Sequence, residues 1–412
     1  MLYLHTQDFN LIDEQETERT AGEAIDRMVS KRIITPFADF EPDMEKIEGL
    51  AKKYDGFKNI ILIGQGGQIQ PVISYYSTLA KYSTDKAFYV VDAQDPDLLT
   101  FLKERCKKDD TLIIASSKSG NTASTLEALF FFAGYTTVVI TSEGKGTLFE
   151  VARREGWDYL VVAESIGGRF TGTSESAYFP LSLFGADIRK IHAAAKAYYA
   201  SCRPSSEKKM NQPLMAASLL FAAEQKGYTD VFVPIYSPRL FGFGNLIMQL
   251  CHESFGKEGK GLTFICAQAP ESQHHTNQRF FGGRKNMVGL FLRLLSFDNH
   301  IMMRCPEKWA DISFSKGTLK DIKLPYCSAI HYEFQGTQQD AVHTGIPNIV
   351  LSVERIDEEN MGQLMAFLQF FAVYSSALRD VNPFDQPQVE NSKNITRELT
   401  FAYKGEYVER YR

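Results

Sequence analysis

Short apolar, β-branched runs recur at regular intervals in the first half of the chain: NIILIG (59–64), AFYVVD (87–92), TLIIAS (111–116), TTVVIT (136–141) and DYLVVA (158–163). The stretches between them are long enough for helices. Strands this uniformly apolar are buried on both faces, so the alternation predicts βαβ units in a mainly parallel sheet covered on both sides. A polar stretch, CRPSSEKKMNQP (202–213), reads as a linker. The alternation then resumes with VFVPIY (231–236), LTFICA (262–267), MVGLFLRL (287–294) and NIVLSV (348–353). The pattern predicts an α/β protein with two three-layer αβα sandwich domains, over residues 51–200 and 214–380. Residues 1–50 have helix-like spacing with mixed charge and read as an N-terminal helical segment, and 381–412 form a polar tail. The aromatic runs FFF (130–132) and FLQFFAVY (367–374) suit core or subunit-contact faces.

Composition narrows the class. With 412 residues and 44% hydrophobic content the chain can bury a large core, enough for two or three domains. A formal net charge of -5 and the lack of a basic stripe leave no electrostatic footprint for nucleic acid. The cysteines (Cys106, Cys202, Cys251, Cys266, Cys305, Cys327) lack C-x-x-C spacing and read as reduced core thiols rather than disulfides or metal ligands. The N-terminal MLYLHTQDFNLIDEQETER lacks a basic flank and an apolar stretch, and the apolar runs fall short of a membrane span, so the expected location is cytoplasmic with no membrane partner.

The segment IIASSKSGNTASTLEALFFFAG (113–134) passes from a strand through small polar residues into a helix. Free N–H groups and the dipole at a helix N-terminus attract anions, and Ser117, Ser119 and Thr122 add hydroxyls. One cap would explain one hydroxyl, not this concentration of them, so the turn predicts a phosphate seat. IGQGGQIQP (63–71) lacks the third glycine of a dinucleotide fingerprint, and the chain has no G-x-x-x-x-G-K-[ST], which disfavours nicotinamide and P-loop nucleotide sites. This second turn suits either backbone contact with a sugar or simply a tight strand-to-helix connection.

In family order, five segments resemble the phosphoglucose isomerases, whose two domains are of the sugar isomerase (SIS) type. IGQGGQIQP is similar to IGGS-x-LGP, with Gln68 in place of the serine. SSKSGNTAST is similar to the phosphate-binding S-K-[ST] loop, IGGRF (166–170) to GGR-[FY]-S, and HESFGKEGKG (252–261) to ESNGK. NPFDQPQVENSK (382–393) is similar to N-x-FDQ-x-x-VE-x-x-K, with Lys393 in register. The resemblance spans about residues 55–395. It implies a reversible aldose-ketose isomerisation of glucose 6-phosphate and fructose 6-phosphate, with no cofactor or metal, in a homodimer. Gly67, Gln68, Ser117, Lys118, Ser119, Asn121, Thr122, Gln278 and His343 would contact substrate, His343 across the subunit boundary.

Proton abstraction beside a carbonyl needs a positioned carboxylate, and ring opening an acid-base group. APESQHHTNQRFFGG (269–283), similar to the family's GEPGTNGQH, makes Glu271 the expected base; Glu253 or a nearby histidine is the alternative. His300 suits ring opening because the unperturbed imidazole pKa lies near neutrality, Arg169 can reach a developing enediolate, and the resemblance implies that Lys393 delivers the other proton or holds charge near the ring oxygen. For Arg169 an interdomain salt bridge is the competing role. His274 and His275 are adjacent and lack a third metal ligand, so sugar contact suits them better. Two other functions fit the same motifs: a bifunctional phosphoglucose/phosphomannose isomerase, and a non-catalytic SIS module that senses sugar phosphates.

Overall fold

Each β-branched run named above forms a strand in the computed structural model, which describes residues 1–204 and 209–402. The strands are β1 (Leu2–His5), β2 (Asn59–Gly64), β3 (Ala87–Val91), β4 (Thr111–Ser116), β5 (Thr136–Thr141), β6 (Asp158–Val161), β7 (Asp230–Tyr236), β8 (Thr263–Gln268), β9 (Met287–Leu294), β10 (Ser313–Phe314), β11 (Gly317–Thr318) and β12 (Asn348–Val353). One sheet has the order β3-β2-β4-β5-β6, parallel throughout. The other has the order β1-β12-β9-β7-β8 and is parallel except for β1. β10 and β11 form a separate small hairpin. β4 is buried along its whole length, and β2 beyond its first residue, as strands covered by helices on both faces must be.

The N-terminal segment differs from the helical reading. β1 crosses to the far sheet and pairs antiparallel with β12, Leu2 opposite Val353. Its four residues, LYLH, are too few to show a period, and the partner that makes them a strand lies some 350 positions away. The tail forms a helix, Glu390–Ala402, with every described residue exposed. Residues 205–208 of the expected linker and 403–412 of the tail lie outside the described residues.

The helix Glu358–Arg379 is long and apolar enough to cross a membrane, with mean hydropathy 1.3 over its best window, yet 94% of that window is buried. This overturns the expectation that the apolar runs were too short for a span, and it gives the run 367–374 its role. The helix is the axis of the main core, packed by the helices Ile188–Cys202, Gln212–Gln225, Glu14–Ser30 and Gly244–Phe255. Phe132 is buried, whereas Phe130 is 71% exposed, so the FFF run is only partly core.

One buried acid makes stability pH-dependent. Glu175 is 4% exposed; its Oε1 accepts the Asp43 N–H at 3.3 Å and its Oε2 has no partner. Burial raises its pKa to about 7. The native state therefore binds a proton more readily than the unfolded chain, and stability falls as pH rises from the ordinary carboxylate range to about 7. Above that, the ionised group costs about 3 kcal/mol. Glu175→Gln is expected to flatten this stretch of the stability–pH curve and raise Tm at pH 8; equal Tm values at pH 8 would contradict it.

Candidate active site

Strand order in the first sheet reverses between β2 and β4, which opens a crevice beyond their C-terminal ends. Gly64 and Ser116, the last residues of these strands, are register partners. Two turns leave this point. In the β4 turn, Ser117 Oγ and Thr122 Oγ1 are 2.8 Å apart, and the Ser117 carbonyl accepts from Thr141 Oγ1 at 2.7 Å. Thr122 is the N-cap of helix Ala123–Phe131, yet no side chain caps that helix. An uncapped helix start with hydroxyls beside it is what an anion seat requires.

Other residues of the turn are structural. Asn121 Oδ1 accepts from the backbone N–H of Thr147 at 3.0 Å and from its hydroxyl at 3.1 Å, which ties the turn to the next loop. Ser119 Oγ accepts the Asn121 N–H at 3.2 Å. Lys118 Nζ donates to the carbonyls of Glu164 and Ile166 at 2.8 and 2.6 Å, and burial lowers its pKa. These bonds tie the Asn121 oxygen and the Lys118 ammonium to neighbouring loops.

The β2 turn is built for contact between backbones. A Cβ on Gly67 would lie 2.2 Å from the Gly168 carbonyl oxygen, so only glycine fits there. Gln68 is 6% exposed; its Oε1 accepts from Ser116 Oγ and Ser176 Oγ, both at 3.0 Å, and its Nε2 has no partner. Gly67 and Gln68 thus join the two turns to the segment that carries Arg169.

Arg169, 2% exposed, is the hub. Its Nε donates to Ser254 Oγ at 2.9 Å, Nη1 to Glu253 Oε2 at 3.1 Å and Gln386 Oε1 at 2.9 Å, and Nη2 to the carbonyls of Glu253, Pro383 and Asp385 at 2.8–3.0 Å. All its N–H groups are spent on protein, which corrects the expectation that it reaches an enediolate directly. Its charge acts through Glu253 instead. Burial lowers the guanidinium pKa, opposed by Glu253 and Asp385. Glu253 Oε1 also accepts from Gln249 Nε2 at 3.1 Å, one helical turn back, and its side chain keeps 30% exposure. The result is a carboxylate held in a fixed orientation by two donors yet open to solvent.

The expected base lies elsewhere. Helix Gly244–Phe255 runs back from the end of β7 to the start of β8, where His252 Nε2 accepts the Phe264 N–H. Glu253 therefore sits at the beginning of β8, and Glu271 follows its end. A six-residue strand spans roughly 20 Å. Glu271 is exposed and pairs with His275 at 2.7 Å. His274 and Gln278 are exposed in the same region, and exposed His300 follows β9 on the same edge, its Nδ1 3.8 Å from Cys327 Sγ. His343 ends helix Tyr326–His343, on the face whose core of Phe280, Phe291 and Phe334 is separate from the main one. Lys393 is exposed and pairs with Glu390 at 2.7 Å. Among the described residues, no hydrogen bond or ion pair joins Glu271, His300 or Lys393 to Arg169 or Glu253. Gln249, Ser254 and Gln386 are site residues that the sequence reading passed over. Two of them lie inside quoted motifs, and Gln249 is one turn from Glu253. Among the described residues no group of three or more His, Cys, Asp or Glu side chains is placed to hold a metal ion.

Known proteins resemble this chain over most of its length. No family model matches the chain. A protein of Methanococcus maripaludis named a probable glucose-6-phosphate isomerase is 28% identical over 384 residues, covering 90% of this chain and 84% of the relative. The glucose-6-phosphate isomerase of Methanocaldococcus jannaschii is 25% identical over 401 residues, covering 94% of each. Among solved structures, a glucose-6-phosphate isomerase from Chlamydia trachomatis superposes with a TM-score of 0.76 at 18% identity, covering 94% of this chain and 86% of that one. Fold and crevice together define a two-domain protein of the sugar isomerase (SIS) type, with two αβα sandwiches. Within that class, the relatives that match this chain over most of its length are named glucose-6-phosphate isomerase or probable glucose-6-phosphate isomerase.

Proposed function

We propose that the protein is a cytoplasmic glucose-6-phosphate isomerase that interconverts glucose 6-phosphate and fructose 6-phosphate through a cis-enediol. The observation that carries the mechanism is the Glu253 carboxylate, oriented by Arg169 and Gln249 beside the crevice. The phosphate sits on the free amides and hydroxyls at the start of helix Ala123–Phe131. Glu253 takes the proton from C2 and returns it to C1, which moves the carbonyl along the chain without redox change. Arg169 holds the Glu253 carboxylate in place.

Ring opening needs a further acid-base group, and the histidines lie at the opposite edge of the second sheet. We assign this role to His300, with His274 the alternative, from a second copy in a homodimer. Lys393, on the tail helix, serves near the ring oxygen.

The test is steady-state kinetics on glucose 6-phosphate. Ser117→Ala with Thr122→Ala is expected to raise KM about tenfold or more, since donors to a charged phosphate are lost. Unchanged KM would return the turn to a structural role. Comparable turnover of mannose 6-phosphate would replace the single-substrate reading with the bifunctional one. Absence of turnover on either would leave a sugar-phosphate sensor.

A further inference from the structure

The strap Asn382–Gln386 supplies three of the acceptors that hold Arg169: the carbonyls of Pro383 and Asp385 and the Gln386 side chain. Something must hold the strap itself. Its internal bonds are short-range: Asn382 Oδ1 accepts the Phe384 N–H at 3.0 Å, and Asn382 Nδ2 donates to Asp385 Oδ2 at 3.1 Å. The Phe384 ring leans on Phe170 with centroids 5.3 Å apart. Beyond the strap the chain is exposed to the end of the described residues.

The remaining tie is Lys257, four residues past Glu253 and 7% exposed. Its Nζ donates to the Asn382 carbonyl, the Asp385 carbonyl and Asp385 Oδ1, each at 2.7 Å. Three ammonium protons thus meet three acceptors, the condition under which a buried ammonium is tolerated. The Asp385 carbonyl is shared between Lys257 and Arg169.

We propose that Lys257 is a positioning residue: it clamps the strap against Arg169, and through Arg169 it sets the angle of the Glu253 carboxylate and the place of Gln386. The proposal rests on the isomerase reading for its kinetic consequence only. The lysine and the carboxylate leave the same helix end, so one rigid segment presents both the reacting group and the clamp on its support. A loosened strap would leave Arg169 with fewer fixed acceptors and Glu253 free to swing. A misplacement of about 1 Å in a reacting group costs on the order of 100-fold in rate.

The test is Lys257→Met, which keeps an unbranched stem but removes the charge and the donors. The amides from Phe384 to Val389 are expected to exchange hydrogen about tenfold faster, with exchange in β2, β4 and β7 unchanged. kcat is expected to fall about 10- to 100-fold with KM within about threefold, because the phosphate seat is untouched. If Lys257→Met does not fold, Asp385→Asn, which deletes only the charged acceptor, carries the test with a rise of about threefold in strap exchange. Unchanged strap exchange would overturn the clamp, and faster exchange with an unchanged kcat would overturn its positioning role. A wild-type protein without isomerase activity would overturn the proposed function alone, since the exchange experiment does not depend on turnover.

Discussion

Glu253→Gln lowers kcat for isomerisation of glucose 6-phosphate by about 10³-fold, whereas Glu271→Gln changes it by less than about threefold. The carboxamide keeps the shape of the side chain but cannot accept the C2 proton. KM should change little, because the phosphate seat supplies most of the binding and lies on the other sheet. The Glu271 carboxylate is solvated and paired with His275, so removing its charge alters a surface contact whose worth is well under 1 kcal/mol. Steady-state rates at saturating substrate decide between the two. A Glu253→Gln enzyme with near wild-type kcat, or an inactive Glu271→Gln enzyme, would reverse the assignment. Tm should accompany the kinetics, since Glu253 is the counter-charge of a buried arginine and its loss also costs stability.

Two inactive variants, Glu253→Gln and a histidine variant, regain roughly a quarter of wild-type activity when refolded together, because half of the dimers are mixed and each mixed dimer has one intact site. The histidine variant is His300→Ala, with His274→Ala run beside it. The expectation comes from strand direction. Glu253 sits where β8 begins, His274 and His300 lie past the ends of β8 and β9, and the strand between spans roughly 20 Å. The expectation is therefore that the carboxylate and the histidine of one site come from different chains. If each chain carried a complete site, the mixture would stay inactive, and activity unaffected by either histidine substitution would remove both from the mechanism.

Much of the fold is legible from local pattern. Strands buried on both faces have to be β-branched and apolar, so the runs from NIILIG to NIVLSV name themselves. The hydroxyl-rich turn is equally visible, because the groups that make an anion seat are consecutive in the chain. β1 is not: LYLH has a mixed burial pattern and becomes a strand only because β12 offers an edge. The helix Glu358–Arg379 has the composition of a membrane span, and only its packing against four other helices makes it a core axis.

The candidate site divides along the same line. Its motifs could be picked out one by one, but the choice between Glu253 and Glu271 could not be made from spacing. Arg169 and Glu253 are 84 residues apart and meet only because one turn of the first sheet packs against one helix of the second. Likewise, the sequence presents Arg169 as a free charge after two glycines, whereas the folded chain surrounds it with acceptors drawn from Glu253, Ser254 and the tail.

By itself the sequence determined the α/β class, the two mainly parallel sheets and the hydroxyl-rich turn after β4, since each depends on residues that are neighbours in the chain. Tertiary structure alone decided what Arg169 holds and which carboxylate, Glu253, it is paired with. Those properties depend on distances across sheets and on strand direction, which no run of adjacent residues encodes.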